Sequence, residues 1–190
     1  MKTLIRPAVS LFIALTVITG LAYPLLTTAI GKVAFNDQAS GSLIEHHHQL
    51  VGSSLIGQNF SGPNYFWGRP SATGPMPYNG INSGGSNFGA SNPAQKSALA
   101  DRISALHAAD PENKAAIPVD LVTASASGLD PQVSPAAVYY QVQRVAKARK
   151  LNEASVKQLV EKYIEAPQFG ILGEYRVNIL QLNLALDQVH

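Results

Sequence analysis

The longest pattern in the chain is apolar and lies near its N-terminus. From Pro7 to Gly31, between Arg6 and Lys32, no residue carries a charge. At about 1.5 Å of rise per residue, a helix over Ala8–Ile30 reaches roughly 34 Å, enough to cross a hydrocarbon core of about 30 Å. A core helix of a water-soluble domain rarely stays uncharged on every face for this length. The pattern therefore predicts one transmembrane helix.

The charges that flank this run predict its direction in the membrane. Lys2 and Arg6 precede it, and Lys32 is the basic residue close behind it. The positive-inside rule then keeps the N-terminus in the cytoplasm and places the rest of the chain outside. A cleaved signal peptide with Ala8–Ala22 as its apolar region is the alternative. We favour an uncleaved anchor, because the uncharged run exceeds the roughly 7–15 apolar residues of a signal peptide.

Two residues within the run predict a local irregularity. Pro24 has no N–H to donate, so the carbonyl four residues earlier loses its helical partner, and Gly20 weakens the same stretch. The freed carbonyl then needs another partner within the bilayer. We expect a kink here, with neighbouring helices from other proteins close by.

The pattern after the apolar run becomes polar and then mixed. Asn36–His48 has the composition of a connector, and short apolar pairs at Leu43–Ile44 and Leu50–Val51 predict strands, as does Ser54–Ile56. The predicted organisation is a short cytoplasmic N-terminus and transmembrane helix over 1–32, a linker over 33–48, and a periplasmic α/β domain over 49–190.

The stretch Phe60–Gly89 combines turn residues with aromatic ones. It is rich in Gly, Pro and Asn, and Asn79–Gly80 and Ser83–Gly85 favour turns. Its six aromatic residues would not be typical of a disordered segment. We therefore predict an ordered loop, called the aromatic loop below, whose rings either pack in the core or form a docking surface.

Helical spacing dominates the C-terminal half. Asn92, Ser134 and Asn152 each precede an apolar pattern of helical period and are suited to cap a helix. Val119–Thr123 alternates as a strand does, and Arg176–Val189 is predicted to begin as a strand and close as a helix. Together with the apolar run, these elements predict an α/β (α+β) soluble domain anchored by one N-terminal transmembrane helix.

Charge and composition exclude several classes of function. Lys2 and Arg6 are the two basic residues before Ile30, so the remainder balances 12 Asp and Glu with as many Lys and Arg. An electrically neutral domain has no basic surface for nucleic acid, and we predict no nucleic-acid partner. The chain has no cysteine, which excludes a disulfide framework and thiol chemistry.

Catalytic motifs are missing from the sequence. It contains no G-x-S-x-G elbow, no H-E-x-x-H and no phosphate loop, and we predict no catalytic residues of its own. Ser125 and Ser127 lie in a loop of small residues and offer only a weak hydrolase alternative. His46–His48 are consecutive on an extended segment and cannot all point to one ion, so no metal site is predicted.

Ordered sequence blocks extend along nearly the whole chain, namely Arg6–Ala8, Tyr23–Thr28, Leu55–Gly62, Gly68–Thr73, Ser83–Asn87, Pro118–Asp130, Arg144–Arg149 and Val177–Asp187. In this order they resemble the C-subunit family of the bacterial potassium-transporting Kdp ATPase. The chain itself has neither the D-K-T-G phosphorylation motif of P-type pumps nor a T-V-G-Y-G-type filter.

The resemblance implies a single-span accessory subunit of a high-affinity potassium import pump in the bacterial inner membrane. Its partners would be a potassium-selective channel-like subunit, a P-type ATPase subunit, a small fourth subunit and membrane lipids. The subunit would be non-catalytic, needed for assembly, and a catalytic chaperone that raises the ATP affinity of the ATPase subunit. No cofactor would be bound tightly, and ATP would be reached only through the ATPase subunit.

A nucleotide contact conflicts with the predicted direction of the chain, because ATP is inside the cell and the domain is predicted outside. If a glutamine contacts nucleotide, as the chaperone role suggests, Gln141 before the basic block Arg144–Arg149 is the candidate. The physical reading favours an external domain that packs near the ion entrance and stabilises the complex. The alternative from another class is a membrane-tethered periplasmic binding module, for example for glycans, which rests on the aromatic loop.

Overall fold

The computed structural model describes residues 2–46 and 48–189, and these residues form two compact units. One unit ends at Ser53 and the other begins at Ser54. The first contains the N-terminal helix and a hairpin, and the second contains helices around a small sheet. The chain is therefore an α+β protein with one long apolar helix near its N-terminus.

The N-terminal helix is longer than the predicted span. It consists of α1 (Lys2–Val17), a π-helical turn (Ile18–Ala22) and α2 (Tyr23–Ala34). Among the described residues, Thr3–Ala34 is the one helical stretch long and apolar enough to cross a membrane, and none of its most apolar window is buried. An apolar helix with no protein packed around it is typical of a segment surrounded by lipid.

Hydroxyl groups on this helix bond back to its own carbonyls. The Oγ atoms of Ser10, Thr16 and Thr19 donate to the carbonyls four residues earlier at 2.9, 2.8 and 2.7 Å. These polar side chains therefore have partners without water, as a lipid environment requires.

The predicted irregularity near Pro24 takes the form of the π-helical turn. The N–H of Tyr23 donates to the carbonyl of Ile18, five residues earlier, so the helix widens by one residue just before the proline. The Oγ1 of Thr27 then donates to the carbonyls of Tyr23 and Pro24 at 3.0 and 3.1 Å. The helix therefore continues past Pro24 to Ala34.

The segment predicted as a polar connector contains regular structure. It includes α3 (Asn36–Ala39) and β1 (Leu43–His46), and β1 pairs antiparallel with β2 (Gln49–Ser53). The strand prediction for the two apolar pairs is confirmed. The prediction for Ser54–Ile56 is wrong, because these residues form a turn. His47, from the predicted histidine trio, lies outside the described residues.

Four helices of the second unit begin and end close to their sequence signals. The side-chain oxygens of Asn92, Ser134 and Asn152 accept backbone N–H groups at the predicted helix starts, and Asn178 does the same for the last helix. The helices are α4 (Pro93–Ala109), α5 (Pro135–Arg149), α6 (Glu153–Lys162) and α7 (Ile179–Leu186).

A three-stranded antiparallel sheet completes this unit. Its order is β3 (Gln132–Val133), β5 (Arg176–Asn178) and β4 (Ile164–Glu165), with Val133 opposite Val177 and Ile164 on the other side of Val177. The strand predicted at the start of Arg176–Val189 is confirmed, and the closing helix is α7.

The strand predicted over Val119–Thr123 is wrong. Val119–Leu121 is a 3₁₀ turn in which the N–H groups of Val122 and Thr123 both donate to the carbonyl of Val119. The Asp120 carboxylate accepts the N–H of Ser134 at 2.6 Å, which ties the turn to the start of α5. Local backbone closure and this side-chain bond override the alternating pattern.

The core lies where α5 and α7 pack against the sheet. Its side chains are mostly aliphatic, and two aromatic residues belong to it: Phe66 of the aromatic loop, which has no exposed surface, and Tyr140 of α5. Burial of this size stabilises a unit without disulfides. Fully or almost fully buried members include Val138, Val142, Val145, Val156, Val160, Val177, Leu182 and Leu186.

Candidate functional site

The aromatic loop is ordered but contains neither helix nor strand. Phe60–Gly89, all of which the structure describes, is built from turns and bends. Its rings differ in environment: Phe66 is completely buried, whereas Phe88 is 40% exposed. The other four rings are partly buried, and two of them, Phe60 and Trp67, pack against the core. Core packing therefore accounts for much of the loop's aromatic content, and Phe88 is its exposed ring.

The side-chain amides of two buried residues, together called the amide clamp below, hold the centre of the loop. The Asn183 side chain on α7 accepts the N–H of Phe66 and donates to its carbonyl, both at 2.9 Å. The Gln141 side chain on α5 accepts the N–H of Trp67 at 2.8 Å and donates to its carbonyl at 3.1 Å. Each amide imitates a paired strand, so two successive residues of an irregular loop have all their backbone groups satisfied.

Gln141 uses every hydrogen-bonding position that its amide has. Besides the two bonds to Trp67, its Nε2 donates to the carbonyl of Ala137 at 3.0 Å, and its Oε1 accepts from Nη2 of Arg144 at 2.7 Å. The residue is 1% exposed. A direct contact with a nucleotide would require these bonds to break, because two donors and two acceptor positions are the amide's full capacity.

Arg144 closes the clamp from the side of α5. It is 5% exposed, its guanidinium lies 4.7 Å from the centre of the Trp67 ring, and its Nη1 donates to the carbonyl of Pro63 at 2.6 Å. Burial lowers the pKa of Arg144 to about 10, and the negative charge of Asp110 acts in the opposite direction. The cation thus holds the loop through carbonyls and a ring face rather than through a bonded carboxylate.

Arg149 repeats this arrangement one turn further along α5. Its guanidinium lies 4.8 Å from the centre of the Tyr65 ring, its Nε donates to the carbonyl of Asn64 at 2.7 Å, and its Nη2 pairs with Asp187 at 2.6 Å. Both arginines belong to the basic block Arg144–Arg149. In the structure its two arginines are used to fix the aromatic loop.

A second set of contacts fixes the other end of the loop. Arg69 pairs with Asp130 at 3.2 Å, and the Tyr78 hydroxyl donates to the carbonyl of Arg69. Burial raises the pKa of Tyr78 to about 12, and the Asp130 carboxylate acts in the same direction. Tyr78 therefore stays a neutral donor at any physiological pH.

A cavity of about 360 Å³ lies between the aromatic loop and α4. Trp67 and Tyr78 line it on the loop side, and Arg102 and Leu106 line it on the side of α4. Nη1 of Arg102 donates to the carbonyl of Val122 at 2.9 Å. Burial lowers the pKa of Arg102. This size and mixed lining suit one inserted side chain or a small planar group.

The serines of the hydrolase alternative support their own turn. Ser125 is 5% exposed and its Oγ accepts the N–H of Gly128 at 2.9 Å, while the Oγ of Ser127 accepts the N–H of Leu129 at 3.1 Å. Both hydroxyl oxygens act as turn caps. Among the described residues there is also no group of three or more His, Asp or Glu side chains placed to hold a metal ion.

The most exposed large apolar side chains near the sheet were missed at the sequence level. They belong to the turn between β4 and β5, where Phe169 is 91% and Ile171 is 81% exposed. The available signal was the glycine-punctuated stretch Gln168–Gly173, in which apolar residues lie between turn residues. The chain therefore presents two candidate docking surfaces, the aromatic loop with its cavity and this apolar turn.

The comparison with known proteins decides the family. The family model described as K+-transporting ATPase, c chain, matches residues 5–188. The chain belongs to this family. The resemblance of the ordered sequence blocks is thereby confirmed.

Relatives match over the whole length of the chain. The potassium-transporting ATPase KdpC subunit of Dechloromonas aromatica (strain RCB) is 62% identical over 189 residues, which cover 100% of this chain and 99% of the relative. The subunit of the same name from Paraburkholderia phytofirmans is 58% identical, with 100% and 98% covered. That from Herpetosiphon aurantiacus is 60% identical, also with 100% and 98% covered.

Proposed function

We propose that this chain is a non-catalytic accessory subunit of an ATP-driven, high-affinity potassium import pump. Membership of the c-chain family carries this proposal, and the lack of phosphorylation and filter motifs supports it. The partners would be the channel-like subunit, the P-type ATPase subunit and the small fourth subunit. The contribution of the chain would be assembly and stability of the complex.

The proposed location is the bacterial inner membrane, crossed once. The apolar helix Thr3–Ala34 supports the crossing, and Arg6 near its start and Lys32 near its end bear on the direction. Together with Lys2, the basic residues favour a cytoplasmic N-terminus and a second unit on the outer side.

The proposed effect on ATP affinity is indirect. An external unit would have no access to ATP, and the only glutamine predicted to contact nucleotide, Gln141, uses its full hydrogen-bonding capacity inside the protein. The subunit would raise the ATP affinity of its partner by favouring one arrangement of the assembled pump, as a bound effector does.

Deleting the gene for this chain is expected to abolish growth at micromolar external potassium in a strain that has no other potassium uptake system. A plasmid copy should restore growth, and purification of the tagged chain from native membranes should yield a complex with two large multi-span proteins. Unaffected growth would contradict the proposal. A lone monomer after purification would favour the tethered binding module, for which the cavity beside the aromatic loop is the supporting observation.

The direction of the chain is tested separately. A reporter that is active only outside the cytoplasm, fused after the last residue, is expected to be active. Replacing Lys2 and Arg6 by glutamine while adding two lysines after Lys32 should reduce that activity, because the basic residues set the orientation. Activity of a cytoplasm-specific reporter on the unaltered chain would contradict the external placement and restore direct ATP contact.

A further inference from the structure

An apolar turn stands out from the sheet of the second unit. It connects β4 to β5, and four of its large side chains face solvent: Phe169 is 91%, Ile171 81%, Tyr175 58% and Leu172 55% exposed. Single exposed apolar residues are common on protein surfaces, but four within seven residues of one turn form an apolar cluster, called the apolar tip below. Such a tip is a candidate for contact with another molecule.

The turn is held in one conformation by its backbone. The N–H of Gln168 donates to the carbonyl of Leu172, and the N–H of Leu172 donates to the carbonyl of Gln168, both at 2.9 Å. The N–H of Gly170 donates to the carbonyl of Pro167 at 3.0 Å. Phe169 and Gly170 have φ values of 54° and 77°, as in the primed turns that connect antiparallel strands. The tip is thus preorganised, which lowers the entropy cost of binding.

Phe169 is an unfavourable residue for its position. Its φ lies in the left-handed region, where a non-glycine residue costs about 1–2 kcal/mol and where Asn or Gly is preferred. The ring also remains almost completely in water, so it gains nothing from burial. Neither the backbone nor the packing of this unit explains an aromatic residue here, which points to a role in binding.

The base of the turn is fixed to the sheet. Ile164 and Glu165 of β4 pair with Val177 and Arg176 of β5, and Nε of Arg176 donates to Oε2 of Glu165 at 3.0 Å. Val177 at the centre of the sheet has no exposed surface. The tip is therefore carried by a rigid element, so its apolar side chains keep their positions when a partner approaches.

The charge of the turn selects among possible occupants. The one charged residue from Pro167 to Tyr175 is Glu174, which is exposed, and the charge of Arg176 directly after the turn is paired with Glu165. Peripheral contact with a bilayer relies on Lys and Arg beside the apolar residues, and an acidic residue is repelled by anionic lipids. If the turns of two copies met at a two-fold axis, Glu174 of one copy would lie close to Glu174 of the other. A different protein, with an apolar socket and a basic rim, meets neither obstacle.

We propose that the turn Pro167–Tyr175 is the anchor by which this unit docks onto another subunit of the pump, with Phe169 and Ile171 inserted in an apolar socket. This inference rests on the proposed function and identifies the surface through which the subunit would bind its partner. Aromatic residues on a preorganised turn are typical of the few positions that dominate an interface. Glu174 then pairs with a basic residue at the rim of the socket.

The test is a variant that keeps the turn and removes its apolar groups. Phe169→Asn combined with Ile171→Asn places a residue suited to positive φ before Gly170, so the turn should fold at least as well as before. Co-purification of the tagged full-length variant with the other pump subunits is expected to fall at least about tenfold. The matched control is Val119→Asn, which replaces a 69% exposed apolar residue outside both candidate docking surfaces and should leave co-purification unchanged.

Failure of this inference and failure of the proposed function give different results. If the unaltered chain co-purifies with the pump and the double variant does so equally well, the anchor is wrong and the function stands. If the unaltered chain does not co-purify, the proposed function itself is wrong. Denaturation of the double variant in detergent checks that it is folded. A lower midpoint than that of the unaltered chain would show that the two side chains stabilise the fold, which would count against their role in docking.

Cysteine protection identifies the occupant. The chain has no cysteine, so Phe169→Cys introduces one thiol whose reaction with a maleimide is followed on this subunit's own gel band. The reaction should be fast for the chain alone in detergent and in liposomes, and at least about tenfold slower in the assembled pump. Protection in liposomes alone would identify lipid, and protection in concentrated detergent solution a second copy; either would overturn the proposal. The control Val119→Cys, at a 69% exposed position outside both candidate docking surfaces, should react quickly throughout.

Discussion

Replacing Gln141 by methionine is expected to lower the free energy of unfolding of the second unit by about 4 kcal/mol. Methionine has a similar length and fills the space, so the loss comes from polar groups. The N–H and carbonyl of Trp67 and one N–H of Arg144 lose their buried partners. Each buried group left unsatisfied costs about 1–3 kcal/mol, and the charged one lies at the upper end.

The measurement uses the intrinsic fluorescence of the full-length chain in detergent. Trp67 is the single tryptophan of the sequence and lies at the clamp itself, so its emission reports directly on this part of the protein. The matched control is Gln143→Met, an exposed position on the same helix, where the change should stay within about 0.5 kcal/mol. Equal denaturation midpoints for the two variants would contradict the clamp.

The same two variants separate a structural role of Gln141 from a nucleotide contact. The ATP KM of the assembled pump is measured at a temperature at which the Gln141→Met subunit is still folded. A positioning role inside the loop predicts an unchanged KM there, together with the lowered unfolding midpoint. A raised KM in a folded, assembled pump would instead support contact between this side chain and nucleotide.

Local signals explain the parts of the fold that the sequence predicts. The helix starts at Asn92, Ser134 and Asn152 depend on side-chain bonds within three residues, and the apolar helix depends on an uninterrupted composition. Such features are determined by neighbours along the chain. They can therefore be derived from the sequence without knowing the tertiary structure.

Long-range contacts explain the parts that it does not predict. The path of the aromatic loop is fixed by Gln141, 74 residues from Trp67, and by Asn183, 117 residues from Phe66. An amide in an amphipathic helix carries no local sign that it pairs with a distant backbone. Likewise, the alternating pattern at Val119–Thr123 predicts a strand. The turn found there is explained by the bond from the N–H of Ser134, at the start of α5, to the Asp120 carboxylate.

The exposed turn was missed for a different physical reason. Reading a sequence for turns relies on residues that tolerate positive φ; Gly170 and Gly173 give this signal for the turn, but Phe169 does not. Turn propensities do not predict an aromatic residue at positive φ. Its position is recognised only when its φ value and its exposed fraction are both known. Positions of this kind are enriched at functional sites, where local stability is exchanged for a contact.

The second large effect is expected for Gly128→Ala, which should lower the free energy of unfolding by about 3 kcal/mol. Gly128 has a φ of +68°, where a residue with a side chain is strained by about 1–2 kcal/mol. An added Cβ would also lie 2.5 Å from Cγ2 of Thr73 and 2.7 Å from the carbonyl oxygen of Gly84. The backbone contact cannot be relieved by a rotamer change, and overpacking of this kind costs about 1–3 kcal/mol.

Gly128 lies where three segments of the chain are hydrogen-bonded together, two of them in the aromatic loop. The Gly128→Ala substitution should therefore also destabilise the aromatic loop. Its N–H donates to Oγ of Ser125, its carbonyl accepts from Oγ of Ser71, and next to it Gly84 donates to the carbonyl of Ser127 at 2.9 Å. The denaturation midpoint and amide hydrogen exchange at Gly84 should both show the loss.

The control for this substitution has the opposite expected sign. Gly89→Ala adds a Cβ with no atom within 4 Å at a position outside the positive-φ range, and it restricts the unfolded chain. It should therefore leave stability unchanged or raise it by up to about 1 kcal/mol. If both alanine variants unfolded at the same denaturant concentration, the end of the aromatic loop at Gly128 would not be closely packed, and the loop would be held by the amide clamp alone.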